Sequence, residues 1–252
     1  MVEQNFYSIT DPRYESRELD TGRALNGILA GRERTLLRAM AARTPRWVLP
    51  DHLTTLAFVG SGVCCLSLIA SNYALGFLWL AVFGLALNWL GDSLDGTLAR
   101  VRNIERPRYG FYVDHVSDLG SQLLIVIGLG LSPFLRFDIT LLALVGYLGL
   151  SVLSLVKLHV SRSFQLSYFG IGPTEIRVII GSGIVIAASV ELPVLESAFG
   201  YFHLFDVAAF LLFVIACATG LLAFVQDARK LALVDPPRHI NPEEIIMRKV
   251  GD

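Results

Sequence analysis

Runs of mainly apolar residues recur between positions 51 and 228, separated by short breaks that contain Pro, Gly, Asn or charged residues. Each run approaches or exceeds the roughly 20 residues that a helix needs to cross a bilayer. The predicted membrane helices are residues 53–71, 74–98, 111–132, 138–158, 174–190 and 204–226. The pattern therefore predicts an all-α, polytopic membrane protein with six transmembrane helices.

The first 50 residues contain no apolar run and carry many charges. Within them, residues 23–46 place apolar side chains at helical spacing among arginines that suit lipid headgroups. The apolar positions are Leu25, Leu29, Leu36 and Met40. We expect an amphipathic helix that lies at the membrane interface or packs as a short cytoplasmic helix on the bundle. The predicted units are a cytoplasmic N-terminal segment (1–50), a six-helix transmembrane domain (51–228) and a cytoplasmic tail (229–252).

The distribution of Lys and Arg predicts the orientation. Of the 21 Lys and Arg residues, eight lie in the N-terminal segment and four in the connection after the second predicted helix. Three lie between the fourth and fifth helices and five in the tail, whereas the opposite connections hold only Arg136. Because cytoplasmic loops carry the excess of basic residues, both termini are predicted to be cytoplasmic. We expect the membrane to be a bacterial inner membrane.

Composition supports a membrane protein and gives no sign of nucleic-acid binding. Hydrophobic residues make up 54% of the chain and charged residues 17%, against about 25% charged residues in soluble domains. Mean hydropathy is +0.57. The net charge of −1 leaves no basic excess for a nucleic acid.

Four aspartates lie where the second predicted helix ends and the third begins. Asp92 and Asp95 are three residues apart, and Asp114 and Asp118 are four apart, so each pair shares one face of a helix. An ionised Asp near mid-bilayer costs about 2.5–3.5 kcal/mol, so these side chains must face a polar cavity, counter-charges or cations. Two facing pairs of carboxylates form an all-oxygen site that suits Mg²⁺ or Mn²⁺.

The residues around these aspartates resemble the signature of the CDP-alcohol phosphotransferases, also called the CDP-alcohol phosphatidyltransferases. These are integral membrane enzymes that make phospholipids. The matching positions are Asp92, Asp95, Gly96, Ala99, Arg100, Gly110, Asp114 and Asp118. The resemblance implies a transferase of substituted phosphate groups, in which an alcohol hydroxyl attacks a CDP-linked substrate and CMP is released. It also implies two bound metal ions and a homodimer. The distribution of Lys and Arg places the acidic residues, like both termini, on the cytoplasmic side.

The resemblance also implies roles for individual residues. The metal ligands are then Asp92, Asp95, Asp114 and Asp118, and Asp118 is also the general base. Positions expected to face the nucleotide and its phosphates are Gly96, Ala99, Arg100, Gly110 and Thr55. Thr55 is included by its place at the start of the first crossing, where family members often carry Asn in place of Asp51.

Three further residues are candidate contacts of the headgroup or acceptor. They are Arg108, Glu175 and Arg177, which lie near the cytoplasmic ends of predicted helices. The segment Gly172 to Arg177 also fits an ordinary helix start, with Pro in the first turn and Glu nearby.

Two other functional classes use buried carboxylates. An intramembrane prenyltransferase holds a Mg²⁺-diphosphate with Asp-rich motifs, but those motifs lie far apart in sequence, whereas both pairs here lie in one hairpin. A cation transporter also carries membrane carboxylates, often with inverted repeats and broken helices, and this sequence has no repeat. Within the CDP-alcohol phosphotransferase hypothesis, two branches of the family, with different substrate pairs, stay open. The pair is either CDP-diacylglycerol with a polar alcohol or a CDP-aminoalcohol with diacylglycerol.

Overall fold

The computed structural model of the protein describes residues 30–161, 172–190, 193–197 and 200–235. These residues form α1 (Ala30–Arg43), α2 (Pro50–Ala70), α3 (Phe77–Arg102), α4 (Pro107–Gly130), α5 (Phe137–Ser161), α6 (Pro173–Ser189) and α7 (Leu204–Val234). A short antiparallel hairpin precedes α7. It consists of β1 (Val194–Ser197) and β2 (Gly200–His203), with Val194 opposite His203.

Each of the six predicted membrane segments corresponds to one helix, from α2 to α7. Among the described helices, α2, α3, α5 and α7 are long and apolar enough to cross a membrane. The helix α4 carries Asp114 and Asp118, and α6 has only 17 residues. Crossings by α4 and α6 therefore stay predictions.

One helix boundary and one connection differ from the sequence expectation. The helix α7 continues to Val234, because residues 227–234 contain neither Pro nor Gly and the first proline that follows is Pro236. The predicted boundary between the membrane domain and the tail, at residue 228, therefore lies inside one continuous helix. The β-hairpin lies in a segment that was expected to be only a break between helices.

Prolines and one left-handed residue define the helix ends around the acidic motif. Pro50, Pro107 and Pro173 occupy the first turns of α2, α4 and α6, where a missing N–H costs nothing. The helix α3 ends at Asn103, whose φ of 55° is left-handed and suits an Asn cap. These signals end α3 and start α4 within a few residues, so both halves of the acidic motif lie near one end of the bundle.

Glycines bring the backbones of α2 and α3 into direct contact. A Cβ at Gly60 would lie 2.6 Å from the backbone nitrogen of Asn88, and a Cβ at Gly84 would lie 2.5 Å from that of Cys64. Small residues allow helices in membranes to approach this closely. By contrast, a Cβ at Gly62 would meet nothing within 4 Å. The close packing within one chain fixes α3, and with it Asp92 and Asp95, against the start of α2.

The helix α1 rests on the outside of this pair. Its Leu37 and Ala41 are buried against Leu94 and Leu98 of α3, while the adjacent Leu36 is exposed. Of the predicted helix 23–46, residues 30–43 are helical. Leu25 and Leu29 lie outside the described residues, and the location of α1 at a membrane interface stays a prediction.

The remaining helices surround a deep cleft. The helix α3 packs against α1, α2 and α6, whereas α4 packs against α2 and α5, and α5 packs against α7. The helices α3 and α4 touch each other little, although they are consecutive. The cleft opens between them, and all seven helices contribute residues to its wall.

Candidate active site

Three carboxylates of the acidic motif converge across the cleft. Asp92 comes from α3, and Asp114 and Asp118 come from one face of α4. One carboxylate oxygen of each lies within 4.8 Å of the other two. The helical spacing explains why Asp114 and Asp118 point the same way, and the packing of both α3 and α4 on α2 brings Asp92 opposite them.

Arg177 of α6 bridges two of these carboxylates. Its Nη1 donates to Asp92 Oδ2 over 2.7 Å, and its Nη2 lies 3.8 Å from Asp118 Oδ1. The side chains of Arg177 and Asp92 are only 14% and 17% exposed. One guanidinium therefore offsets only part of the charge of three ionised carboxylates.

Asp95 lies beside this group with a different set of partners. The hydroxyl of Thr54 in α2 donates to Asp95 Oδ2 over 2.6 Å, and the Gly96 N–H donates to the other oxygen. The residue is 7% exposed. Of the four expected ligands, three therefore converge directly, while Asp95 is held next to them by Thr54.

The donor set suits a hard divalent cation. Mg²⁺ binds oxygen ligands at about 2.0–2.1 Å in octahedral geometry, so neighbouring ligand oxygens are about 3 Å apart and opposite ones about 4 Å. The oxygens of Asp92, Asp114 and Asp118 lie within 4.8 Å of one another, close to this spacing. The residues present therefore fit Mg²⁺ or Mn²⁺ with small side-chain movements.

Gly96 and Gly110 both line the cleft and face open space. A Cβ at Gly110 would meet nothing within 4 Å, and a Cβ at Gly96 would meet only the flexible guanidinium of Arg100, at 3.4 Å. The protein's own packing thus leaves room for a side chain at both positions. The resemblance expects nucleotide-facing positions here, and that role stays a prediction. Ala99 and Arg100 line the same part of the cleft.

The other candidate contacts, Thr55, Glu175 and Arg108, lie in three different settings. The hydroxyl of Thr55 is exposed and donates to the carbonyl of Asp51 in its own helix, whereas Thr54 lines the cleft. Glu175 Oε2 accepts from the backbone N–H of Gly172 over 2.9 Å, which caps the start of α6. Arg108 is exposed and lines the cleft.

A polar cluster flanks the mouth of the cleft. Arg106 Nη2 lies 2.6 Å from both carboxylate oxygens of Asp51, and its guanidinium stacks 4.0 Å from the centre of the Tyr109 ring. Hydrogen bonding to Asp51 raises the pKa of the Arg106 guanidinium. The cluster joins the start of α2 to the start of α4. It therefore links the two helices on one side of the mouth.

Glu33 of α1 was not singled out from the sequence. Its Oε1 accepts hydrogen bonds from Trp89 Nε1 over 3.0 Å, from Ser93 Oγ over 3.2 Å and from Thr174 Oγ1 over 3.0 Å. The sequence contains one signal for it, since Glu33 is the single acidic residue among the arginines of positions 23–46.

The cleft is larger than a small metabolite requires. Its volume is about 2930 Å³, whereas pockets for small ligands usually measure about 300–1,000 Å³. Beyond the carboxylates it is lined mainly by apolar side chains of α5, α6 and α7. Examples are Leu144, Leu148, Ile180, Ile184 and Leu212. The site thus joins an acidic end to a long apolar compartment.

Comparison with known proteins agrees with the motif. The family model described as CDP-alcohol phosphatidyltransferase matches residues 47–222. This range contains α2 to α6 and more than half of α7. No curated protein matches the chain significantly.

Proposed function

Because the chain belongs to the CDP-alcohol phosphatidyltransferase family, we propose that it catalyses attack of an alcohol hydroxyl on a CDP-linked substrate, with release of CMP. Membership implies an integral membrane transferase of phospholipid synthesis and, in general, dependence on a metal ion. The observation that carries the proposal is the convergence of Asp92, Asp114 and Asp118 within 4.8 Å. Their position at the end of a long apolar cleft supports a substrate with a lipid part.

The metal ligands are Asp92, Asp95, Asp114 and Asp118, and we propose that together they hold two Mg²⁺ or Mn²⁺ ions. When bound by these carboxylates, the ions would supply positive charge that stabilises the diphosphate and the leaving CMP. Thr54 orients Asp95 through the 2.6 Å hydrogen bond to its carboxylate.

Asp118 acts as the general base. Its carboxylate takes the proton from the attacking hydroxyl as the hydroxyl oxygen bonds to the phosphorus distal to cytidine. The phosphoanhydride bond then breaks, and CMP leaves with the bonding electron pair. Arg177 Nη2 lies 3.8 Å from Asp118 Oδ1 and places a positive charge beside this carboxylate.

The nucleotide lies along the open faces of α3 and α4. Gly96, Ala99 and Gly110 allow it to approach the helix backbones, and Arg100 contacts phosphate. Thr55 stays a proposed contact on the same side. Its neighbour Thr54 lines the cleft and is the better placed of the two.

The acceptor or headgroup end of the substrate lies near Arg108, Arg177 and Glu175. Arg108 at the cleft wall and Arg177 beside the carboxylates suit phosphate oxygens. Glu175 contributes mainly through the N-terminus of α6, which it caps. Both branches of the reaction place a diacylglycerol moiety in the apolar compartment, so the donor is either CDP-diacylglycerol or a small CDP-aminoalcohol.

The proposed topology has six crossings with both termini and the carboxylates on the cytoplasmic side of a bacterial inner membrane. The predominance of basic residues at the end of the bundle that carries the carboxylates, with Arg136 at the opposite end, supports this orientation. We also propose a homodimer, in line with the family.

The test is CMP release by purified protein in lipid-containing detergent with Mg²⁺. One arm offers CDP-diacylglycerol with pooled polar alcohols, and the other offers CDP-ethanolamine or CDP-choline with diacylglycerol. Asp118→Asn is the test variant. Asp138→Asn is the matched control, because Asp138 pairs with Arg136 at the opposite end of the bundle and is 63% exposed.

CMP in one arm that Asp118→Asn abolishes and Asp138→Asn preserves supports the reaction and identifies the branch. Asp118→Asn should still bind the CDP substrate in a metal-dependent way. Turnover near wild type in Asp118→Asn contradicts the assignment of the base. If neither arm yields CMP, two separate assays distinguish the other classes. Release of pyrophosphate from an added prenyl diphosphate indicates a prenyltransferase, and cation flux into vesicles that contain the protein indicates a transporter.

A further inference from the structure

A single carboxylate oxygen connects α1 to two helices of the site. Glu33 Oε1 accepts from Trp89 Nε1 and Ser93 Oγ of α3 and from Thr174 Oγ1 of α6, over 3.0–3.2 Å. Glu33 is half-buried and lines the cleft. The three bonds therefore tie α3 and α6 to one point on α1.

The donors lie close to the residues that do the chemistry. Ser93 is adjacent to Asp92 in sequence, and Thr174 lies three residues before Arg177, which places them on one side of α6. Arg177 in turn donates to Asp92 over 2.7 Å. The helices α3 and α6 are thus joined twice, once through Glu33 and once through the ion pair at the carboxylates.

The helix α1 is itself firmly attached, so it can act as a support. Leu37 and Ala41 follow Glu33 at spacings of four and eight residues and are buried on α3. At the other end, the guanidinium of Arg102 donates to the carbonyl oxygens of Thr44 and Val48, over 2.9 and 2.6 Å. These contacts restrict movement of α1 relative to α3 along the part of the helix that follows Glu33.

We propose that Glu33 is a positioning residue that sets the spacing between α3 and α6 and so holds Arg177 against Asp92. Glu33 acts through its hydrogen bonds and does not touch the reacting atoms. Its effect on turnover rests on the function proposed above, whereas its effect on the spacing of the helices does not. The three donors require only an acceptor oxygen at the position of Glu33 Oε1.

The kinetic test compares Glu33→Ala with Glu33→Gln. Misplacement of catalytic groups by about 1 Å can cost about a hundredfold in rate, so we expect Glu33→Ala to lower kcat at least about tenfold. The KM for the CDP substrate should change less than about threefold. Glu33→Gln keeps an acceptor oxygen and should restore most of the activity. The matched control is Thr35→Ala on the outer face of α1, where the hydroxyl donates to the carbonyl of Gly31 in its own helix.

A second variant removes only one of the three hydrogen bonds to Glu33. Thr174→Val deletes the bond to α6 and leaves the bonds from Trp89 and Ser93 to Glu33 intact. We expect it to lower kcat, and we expect little further loss when it is combined with Glu33→Ala, since both act on the same connection. Additive losses would contradict a shared role. A Glu33→Gln protein as inactive as Glu33→Ala would show that the charge matters, which also overturns the proposal.

A distance measurement separates this proposal from the proposed reaction. Spin labels at Val101→Cys in α3 and Val178→Cys in α6, both exposed positions, report the spacing between these two helices without any substrate. The background carries Cys217→Ala to remove the exposed native cysteine. Glu33→Ala should broaden the distance distribution, and Glu33→Gln should preserve it. An unchanged distribution in Glu33→Ala overturns the positioning role, even if the enzyme releases CMP. A broadened one supports it, even if no CMP is formed.

Discussion

Replacing Arg177 by Met tests how the protein balances the charge of its carboxylate cluster. The guanidinium donates to Asp92 over 2.7 Å and lies 3.8 Å from Asp118, in a site where Arg177 is 14% exposed. In Arg177→Met, the three carboxylates lose this counter-charge. We therefore expect a loss of stability that depends strongly on whether a divalent cation is present.

The structure gives the size of this effect. Two unit charges 4.8 Å apart repel by roughly 3.5 kcal/mol at an effective dielectric constant of 20. Removing one partner of a buried ion pair typically costs about 3–5 kcal/mol. For a chain of this size, about 1 kcal/mol shifts the melting temperature by roughly 2–4 °C. In EDTA, Arg177→Met should therefore melt about 10 °C below the wild type.

The assay is thermal unfolding in detergent, followed by tryptophan fluorescence, in EDTA and in saturating Mg²⁺. Mg²⁺ should recover much of the loss in Arg177→Met, because the bound cation replaces the missing charge. Arg136→Met is the control, since Arg136 pairs with an exposed Asp138 far from the cluster. Its melting temperature should respond to Mg²⁺ as the wild type does. An equal loss with and without Mg²⁺ in Arg177→Met would refute the reasoning.

Two further predictions concern the open face of α4 and the opposite end of the bundle. Gly110→Ala should melt as the wild type does, because its Cβ meets nothing within 4 Å, yet it should raise the KM for the CDP substrate at least about tenfold. Gly62→Ala is equally unhindered but lies outside the cleft, so it should change neither the melting temperature nor the KM. An unchanged KM in Gly110→Ala would contradict a nucleotide-facing role. Asp206→Asn should lower the unfolding free energy by about 1–3 kcal/mol, because this fully buried carboxylate accepts from the backbone N–H groups of Arg136 and His203. The kcat, measured well below the melting temperature, should not change. Wild-type stability of Asp206→Asn in urea unfolding would contradict the account.

Local patterns in the sequence were sufficient to predict the helices and to identify the family. Apolar runs of membrane length predicted all six helices from α2 to α7, and the motif around Asp92 and Asp118 identified the family, which the family match confirms. Helical spacing also placed Asp114 and Asp118 on one face. The roles of these residues in catalysis stay predictions.

Contacts between distant segments were harder to predict. The bond between Thr174 and Glu33 joins residues 141 positions apart, and the pair of Arg177 and Asp92 spans 85. Both depend on α6 packing against α3, which the hydropathy pattern does not specify. Thr54 and Thr55 show a smaller version of the same problem. Adjacent residues face about 100° apart on a helix, and only the packing of α2 shows that Thr54 faces Asp95.

The most direct test of the central claim is Mg²⁺-dependent CMP release by four Asp→Asn variants measured side by side. Asp92→Asn, Asp114→Asn and Asp118→Asn each remove one carboxylate of the converging group, and Asp138→Asn removes one at the opposite end. The account predicts that all three cluster variants lose CMP release, with folded protein verified by thermal unfolding, while Asp138→Asn retains it. Wild-type CMP release by any of the three, in folded protein, would contradict the claim that this cluster is the active site.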